Sequence, residues 1–123
     1  MGARDPSENH KLFENAVNAG DVDALAALYE PDAVYVAGPG QHVVGRKAIR
    51  SALAGWLATK PKLRLDLAGL ATAGDVALER TTWTVVMPGP DGKPAESRGS
   101  SSVVLRRQRD GSWLMAVDDP GIA

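Results

Sequence analysis

The fold is decided by the stretch at residues 18–34, which reads NAGDVDALAALYEPDAV. Gly20 predicts the end of a first helix, because glycine readily adopts the left-handed conformation that terminates many helices. Asp21 is a typical N-cap residue and predicts that a second helix begins at Val22. Pro31 ends that helix, and a short strand is predicted over residues 33–37, before the turn residues 38–40.

The segments on either side extend this pattern. Upstream, Ser7 is predicted to cap the first helix, whose apolar residues recur at helical spacing between Leu12 and Val17. Downstream, a loop through Gly45 leads to a third helix, which Pro61 ends. The apolar period then changes to two, and four strands are predicted at residues 62–67, 76–87, 97–108 and 113–118. Helices early in the chain and antiparallel strands late indicate an α+β fold class.

The composition predicts one near-neutral domain. The chain has 123 residues, with 14 Lys plus Arg against 15 Asp plus Glu, and a formal net charge of -1. This balance argues against a nucleic-acid partner, which would require a basic face. The sequence contains no Cys, so thiolate catalysis and Cys-ligated zinc are excluded.

The ends of the chain and its apolar runs bear on location. No apolar run is long enough to span a membrane, and the N-terminus lacks the apolar stretch of a secretory signal. We therefore expect a cytoplasmic protein with no membrane partner. A flexible N-terminal arm is predicted at residues 1–6 and a single domain at residues 7–123.

Four sequence words carry a resemblance to a known family: NAGDVDAL at residues 18–25, LYEPDAV at 28–34, GRKAIR at 45–50 and LRRQRDGSW at 105–113. With these words the chain resembles the nuclear-transport-factor-2-like (NTF2-like) superfamily, which includes ketosteroid isomerases, SnoaL-like polyketide cyclases and the DUF4440/YybH-like proteins. The resemblance implies a cone-shaped cystatin/NTF2-like fold. Three N-terminal helices would pack on a curved, mixed but mainly antiparallel sheet with an internal pocket. It also implies a homodimer through the outer face of the sheet.

The catalytic set of the isomerase is missing at the matching positions. Ketosteroid isomerase uses an Asp base, together with a Tyr and a protonated Asp that stabilise the oxyanion. The resemblance places Ala37 at the position of the base, Phe13 at that of the Tyr and Val103 at that of the protonated Asp. Each such group contributes orders of magnitude in rate. The chain is therefore not expected to be a ketosteroid isomerase.

The same resemblance predicts which side chains face the pocket. Because strand residues alternate between faces, each placement depends on the strand register. Trp83 and Trp113 are predicted on the opposite, outer face, where they suit a dimer interface. The strand positions predicted to face inward are Tyr35, Arg80, Thr82, Ser101, Val103, Ala116 and Asp118, and the helices are expected to add Phe13 and Trp56.

Arg80 and Asp118 would then form an opposite-charge pair inside a mostly apolar cavity. The predicted ligand is a small hydrophobic or carbonyl-bearing molecule. If the protein is an enzyme, we expect cofactor-free proton transfer of the isomerase or cyclase type, with Asp118 as proton acceptor and Arg80 or Tyr35 stabilising the oxyanion. The alternative is a non-catalytic ligand-binding or association module, in which Arg80 and Asp118 are only a structural pair.

No metal or other cofactor is expected. His10 falls at a helix start and His42 in a loop, and a metal site would need further ligands beside them. Asp21 and Asp23 are explained as helix-cap residues.

Overall fold

A six-stranded sheet forms one layer of the molecule, and three helices pack against one of its faces. The computed structural model describes residues 2–121, and Met1, Ile122 and Ala123, at the outer ends of the predicted arm and domain, lie outside the described residues. The helices are α1 (Asn9–Ala19), α2 (Val22–Ala26) and α3 (Arg46–Leu57), and the strands are β1 (Tyr29–Gly38), β2 (Gln41–Val44), β3 (Lys62–Ala73), β4 (Val76–Pro88), β5 (Pro94–Arg107) and β6 (Trp113–Asp119). The predicted α+β class is confirmed.

The boundary between α1 and α2 forms as its sequence predicts. Gly20 has a φ of 67° and its backbone N–H bonds back into α1. The Asp21 side chain accepts a hydrogen bond of 3.0 Å from the Ala24 N–H and so caps α2. The strand that follows begins at Tyr29, earlier than the predicted Ala33, because the Leu28 carbonyl already accepts from the Met115 N–H.

The N-terminal cap differs from the prediction. Asp5, not Ser7, caps a short 3-10 helix at Pro6–Glu8, and its side chain accepts from the Ser7 N–H while Glu8 accepts from the Asp5 N–H. This reciprocal arrangement is a capping box. Ahead of it, the Ala3 carbonyl accepts a hydrogen bond of 2.7 Å from the Trp113 N–H. The division between an arm and a domain at residue 7 stays a prediction.

The strand order across the sheet is β2-β1-β6-β5-β4-β3. The β1–β6 pair is parallel and the other pairs are antiparallel, so the sheet is mixed but mainly antiparallel. The predicted loop before Gly45 contains the short strand β2. This strand follows the turn at Pro39 and Gly40 and pairs antiparallel with β1. Among residues 2–121, no helix is both long and apolar enough to cross a bilayer.

Two irregularities in the strands determine which residues face the helices. In β3 the register shifts between Leu67 and Gly69, so Ala68 is an extra residue relative to β4. In β6 the register shifts in the same way at Ala116. Each of these β-bulges reverses the alternation of side chains along the rest of its strand.

Candidate functional site

A cavity of about 430 Å³ lies between the inner face of the sheet and helices α1 and α3. Apolar and aromatic side chains form most of its wall, with a few polar groups among them. The lining residues are Asn9, His10, Phe13, Tyr35, Leu53, Trp56, Leu63, Leu65, Glu79, Thr81, Trp83, Val85, Met87, Ser97, Ser101, Val103, Met115, Asp118 and Pro120. Such a volume falls in the range of about 300–1,000 Å³ that small-molecule sites occupy.

Four of these residues lie in one row across neighbouring strands. Tyr35 of β1 pairs with Asp118 of β6, Asp118 with Val103 of β5, and Val103 with Glu79 of β4. The two carboxylates therefore lie on either side of Val103. Their Cα atoms are separated by two inter-strand spacings, roughly 10 Å. We call this set of four residues the cavity row.

Asp118 lines the cavity and is buried, with 5% of its surface exposed. The fully buried Tyr29 hydroxyl donates a hydrogen bond of 2.5 Å to its Oδ2 atom. Burial raises the pKa of Asp118 to about 6, against the lowering effect of the Tyr29 hydrogen bond. The charged form is therefore held by a phenol and not by a cation, and it titrates close to neutral pH.

Glu79 is a second buried carboxylate that the sequence reasoning missed. It is 2% exposed, and its Oε1 accepts a hydrogen bond of 3.4 Å from the Asn9 side-chain amide. Burial raises the pKa of Glu79 to about 7, and the charge of Asp118 contributes in the same direction. Two carboxyl groups with raised pKa values thus face one mostly apolar cavity.

The prediction that Arg80 and Thr82 face the cavity is wrong. With Leu63 and Leu65 facing inward, uninterrupted pairing of β3 and β4 from the Gly74-Asp75 turn would place Arg80 and Thr82 inward too. The extra residue Ala68 shifts this pairing by one, so that Leu65 pairs with Trp83 and the other face of β4 lines the cavity. Arg80 lies on the outer face, with its guanidinium directly over Gly69. Arg80 and Asp118 are therefore on opposite faces of the sheet and do not form the predicted pair. The signal for this bulge is Gly69 itself, since an isolated glycine inside a strand often marks one.

Five other residues predicted for the site do line the cavity. Tyr35, Ser101 and Val103 contribute from the strands, and Phe13 and Trp56 from the helices. Thr81 lines the cavity in place of the predicted Thr82. Its hydroxyl group makes a hydrogen bond with the hydroxyl group of Ser101.

The remaining predicted position, Ala116, is buried but is the extra residue of the β6 bulge. The cavity wall on this strand comes instead from Met115 and Asp118, three residues apart.

The outer-face prediction also fails for two tryptophans. Trp83 lines the cavity, and its indole N–H donates to the Pro120 carbonyl at 2.8 Å. Trp113 is 6% exposed and belongs to the hydrophobic core. The outer face instead exposes Val76 and Leu78.

Metal ligands are not grouped anywhere in the part of the chain that the structure describes. The cavity wall formed by the described residues contains two carboxylates and neither Arg nor Lys. An anionic ligand would therefore meet negative charge without a compensating cation, and a neutral or cationic ligand suits the cavity better.

Comparison with known proteins shows the family to which the chain belongs. The model of the SnoaL-like domain matches residues 10–114. No curated protein matches the chain.

Among solved structures, a ketosteroid isomerase-like protein from Erwinia carotovora atroseptica is 22% identical, with a TM-score of 0.76, and the match covers 89% of this chain and 86% of that one. An NTF2-like protein with a cystatin-like fold from Novosphingobium aromaticivorans is 22% identical, with a TM-score of 0.76 and coverage of 94% and 79%. An NTF2-like superfamily protein from Salmonella enterica is 18% identical, with a TM-score of 0.78 and coverage of 92% and 85%. At these identities the structural similarity shows a shared fold alone, and it confirms the predicted NTF2-like architecture.

Proposed function

Since the chain belongs to the SnoaL-like domain family of NTF2-like proteins, and its cavity holds a buried carboxylate beside a tyrosine, we propose that it is a cofactor-independent proton-transfer enzyme. Its substrate is a small, mainly hydrophobic carbonyl compound. The observation that carries this proposal is Asp118, a base with a pKa of about 6 at the wall of an apolar cavity of about 430 Å³. A base of this kind is largely ionised at neutral pH and still basic enough to accept a proton.

The contacts of Asp118 suit it to this role. The Tyr29 hydroxyl donates to Oδ2 and fixes the orientation of the carboxylate. The apolar wall excludes water, which would otherwise solvate the charge and weaken it as a base. A general base that is held rigidly in a dry site needs little rearrangement during proton transfer.

Tyr35 supplies the hydrogen-bond donor in this scheme. It is the register partner of Asp118 on the adjacent strand and lines the same cavity. Burial and the neighbouring Asp118 charge raise the pKa of Tyr35 above its ordinary value, so its hydroxyl keeps its proton. A protonated phenol can donate to the ligand's carbonyl oxygen, whereas Arg80, on the outer face, cannot reach it.

The reaction is a proton transfer at the carbon beside the carbonyl group. The Asp118 carboxylate accepts the proton, and the electrons of the broken C–H bond form the C=C bond of an enolate. The Tyr35 hydroxyl donates a hydrogen bond to the enolate oxygen as its negative charge develops. Asp118 then returns the proton to a carbon of the enolate, so no oxidant, reductant or cofactor is consumed.

The test measures exchange of carbon-bound protons. 2-Tetralone, an aromatic ketone, is incubated with the protein in D₂O, and the loss of its proton signals beside the carbonyl is followed by NMR. We expect the protein to accelerate exchange, with a rate that rises through about pH 6 as Asp118 ionises. Asp118→Asn should lower the enzymatic rate by at least about 100-fold, which is the ordinary contribution of a general base.

The matched control is Asp66→Asn, which makes the same chemical change at an exposed side chain paired with Arg64. This variant should exchange 2-tetralone like the parent protein. Exchange that survives in Asp118→Asn at the parent rate would overturn the assignment of the base.

A binding role without turnover is the alternative. The short Tyr29–Asp118 hydrogen bond favours it, because a buried carboxylate satisfied by a phenol can also serve structure alone. Under this alternative, 2-tetralone would change the fluorescence of the cavity residues Trp56 and Trp83 without any exchange above background. We also propose the homodimer that the resemblance implies, formed through the outer face of the sheet, and sedimentation analysis tests whether the protein is a dimer.

A further inference from the structure

One corner of the cavity has hydrogen-bonding atoms without partners. In the described part of the chain, Asn9 Oδ1, His10 Nδ1 and Glu79 Oε2 are buried side-chain atoms that make no hydrogen bond. All three residues line the cavity. We call these three residues the acceptor corner. Buried polar atoms are nearly always paired in folded proteins, so three together at a cavity wall point to a ligand that pairs with them.

The corner is built on rigid elements. Asn9 and His10 form the first turn of α1, and Glu79 lies in the middle of β4, between two paired strands. Asn9 and Glu79 are 1% and 2% exposed, and the Asn9 amide donates to Glu79 Oε1 at 3.4 Å. With that amide oriented toward Glu79, the Asn9 oxygen is left as an acceptor.

The chemistry of the free atoms selects the partner. Asn9 Oδ1 is an acceptor only. When its carboxylate is ionised, Glu79 Oε2 is also an acceptor only. Burial lowers the pKa of His10, which favours the neutral ring, and Nδ1 of that ring accepts a hydrogen bond in the tautomer whose proton is on Nε2. Neither Arg nor Lys lies among the described lining residues, so an anionic group in this corner would meet no compensating cation from them. What fits is a group that donates hydrogen bonds.

We propose that the acceptor corner binds a hydroxyl or amino group of the ligand, at a point two strands away from Asp118. The substrate class narrows from hydrophobic ketones to ketones that carry an O–H or N–H donor on the far side of the molecule. That such a ketone is turned over rests on the proposed proton-transfer function. The binding of its donor group by the acceptor corner is independent of turnover.

The test compares the binding of matched ketones by calorimetry. The probes are 1-tetralone, 6-hydroxy-1-tetralone, 6-amino-1-tetralone and the anionic 6-carboxy-1-tetralone. We expect the hydroxyl or the amino ketone to bind about tenfold more tightly than 1-tetralone, which is the usual gain from satisfying a buried acceptor. The two arms identify which donor is preferred. Equal affinity for all four probes, or tighter binding of the carboxylate, would overturn the proposal.

Two variants locate the effect. Glu79→Gln and Asn9→Leu should each reduce the preference, measured against 1-tetralone in the same variant, to less than about threefold. Circular dichroism shows that each variant has folded. A preference that survives in both variants would contradict the assignment. Asp118→Asn should keep the preference although it loses proton exchange. The two proposals therefore have separate readouts. Proton exchange of 2-tetralone tests the proposed function, and the preference for donor-bearing ketones tests the acceptor corner.

Discussion

Replacing Glu79 by Gln should make the protein more stable at neutral and alkaline pH. The carboxyl is 2% exposed, one of its oxygens is unpaired, and burial raises its pKa from the ordinary 4.5 to about 7. At about 1.4 kcal/mol for each pKa unit, this difference corresponds to about 3 kcal/mol. Gln has nearly the same shape and no charge to bury.

The direction of the pH dependence follows from the raised pKa. Below about pH 4.5 Glu79 is protonated in both the folded and the unfolded protein, and it costs no stability. Between about pH 4.5 and 7 the unfolded chain ionises while the folded protein retains its proton, so the free energy of unfolding falls as the pH rises. Above about pH 7 the full cost of about 3 kcal/mol is present in the parent protein and missing in Glu79→Gln.

The assay is urea unfolding between pH 4.5 and 8. The parent protein should lose about 3 kcal/mol more than Glu79→Gln over this interval. The slope that remains in the variant has a falling part from Asp118, whose pKa is raised to about 6, and a rising part from His10, whose pKa is lowered. Glu96→Gln is the matched control, since Glu96 is exposed and paired with the exposed Arg98, and we expect it to shift stability by less than about 0.5 kcal/mol. Parallel curves for the parent and Glu79→Gln would refute the reasoning.

Two further predictions concern residues around the cavity. Tyr29→Phe removes the hydrogen bond that lowers the pKa of Asp118, so the pH midpoint of 2-tetralone exchange should move above about 6; an unchanged midpoint would show that this bond does not tune the base. Gly99→Ala should lower the free energy of unfolding by about 1–3 kcal/mol, because the new methyl group would overlap the Trp83 ring, and the tryptophan fluorescence should change with it. Gly69→Ala is its control, since there the methyl group meets only the end of the flexible Arg80 side chain, and equal losses in thermal unfolding would contradict this explanation.

The architecture could be predicted because its signals are local. Gly20 and Asp21 each specify a helix boundary through their own backbone or side-chain chemistry, and both act as expected. The change of apolar period after Pro61 likewise locates the start of β3, where Leu63 and Leu65 belong to the core. The strand β2 was missed because its four residues carry no alternation that distinguishes a strand from a loop.

The cavity was harder to predict because it depends on strand register. In β4 the two faces look alike in sequence: Val76 and Leu78 are exposed, while the charged Glu79 is buried. Alternation alone cannot choose between such faces. The choice depends on how β4 pairs with β3, and the extra residue Ala68 shifts that pairing by one. Asp118 faces the cavity as predicted and Ala116 on the same strand does not, because the β6 bulge lies between Met115 and Val117 and changes the alternation between the two positions.

The cavity row has a consequence for how chemistry can change within this fold. By resemblance, Val103 stands where ketosteroid isomerase has its protonated Asp, yet the chain carries carboxylates on the two flanking strands at the same level. The ladder of backbone hydrogen bonds fixes where each strand's side chain stands, whatever that side chain is. Point substitutions on adjacent strands can therefore move a carboxylate from one position of the cavity wall to the next while the order of the strands stays the same.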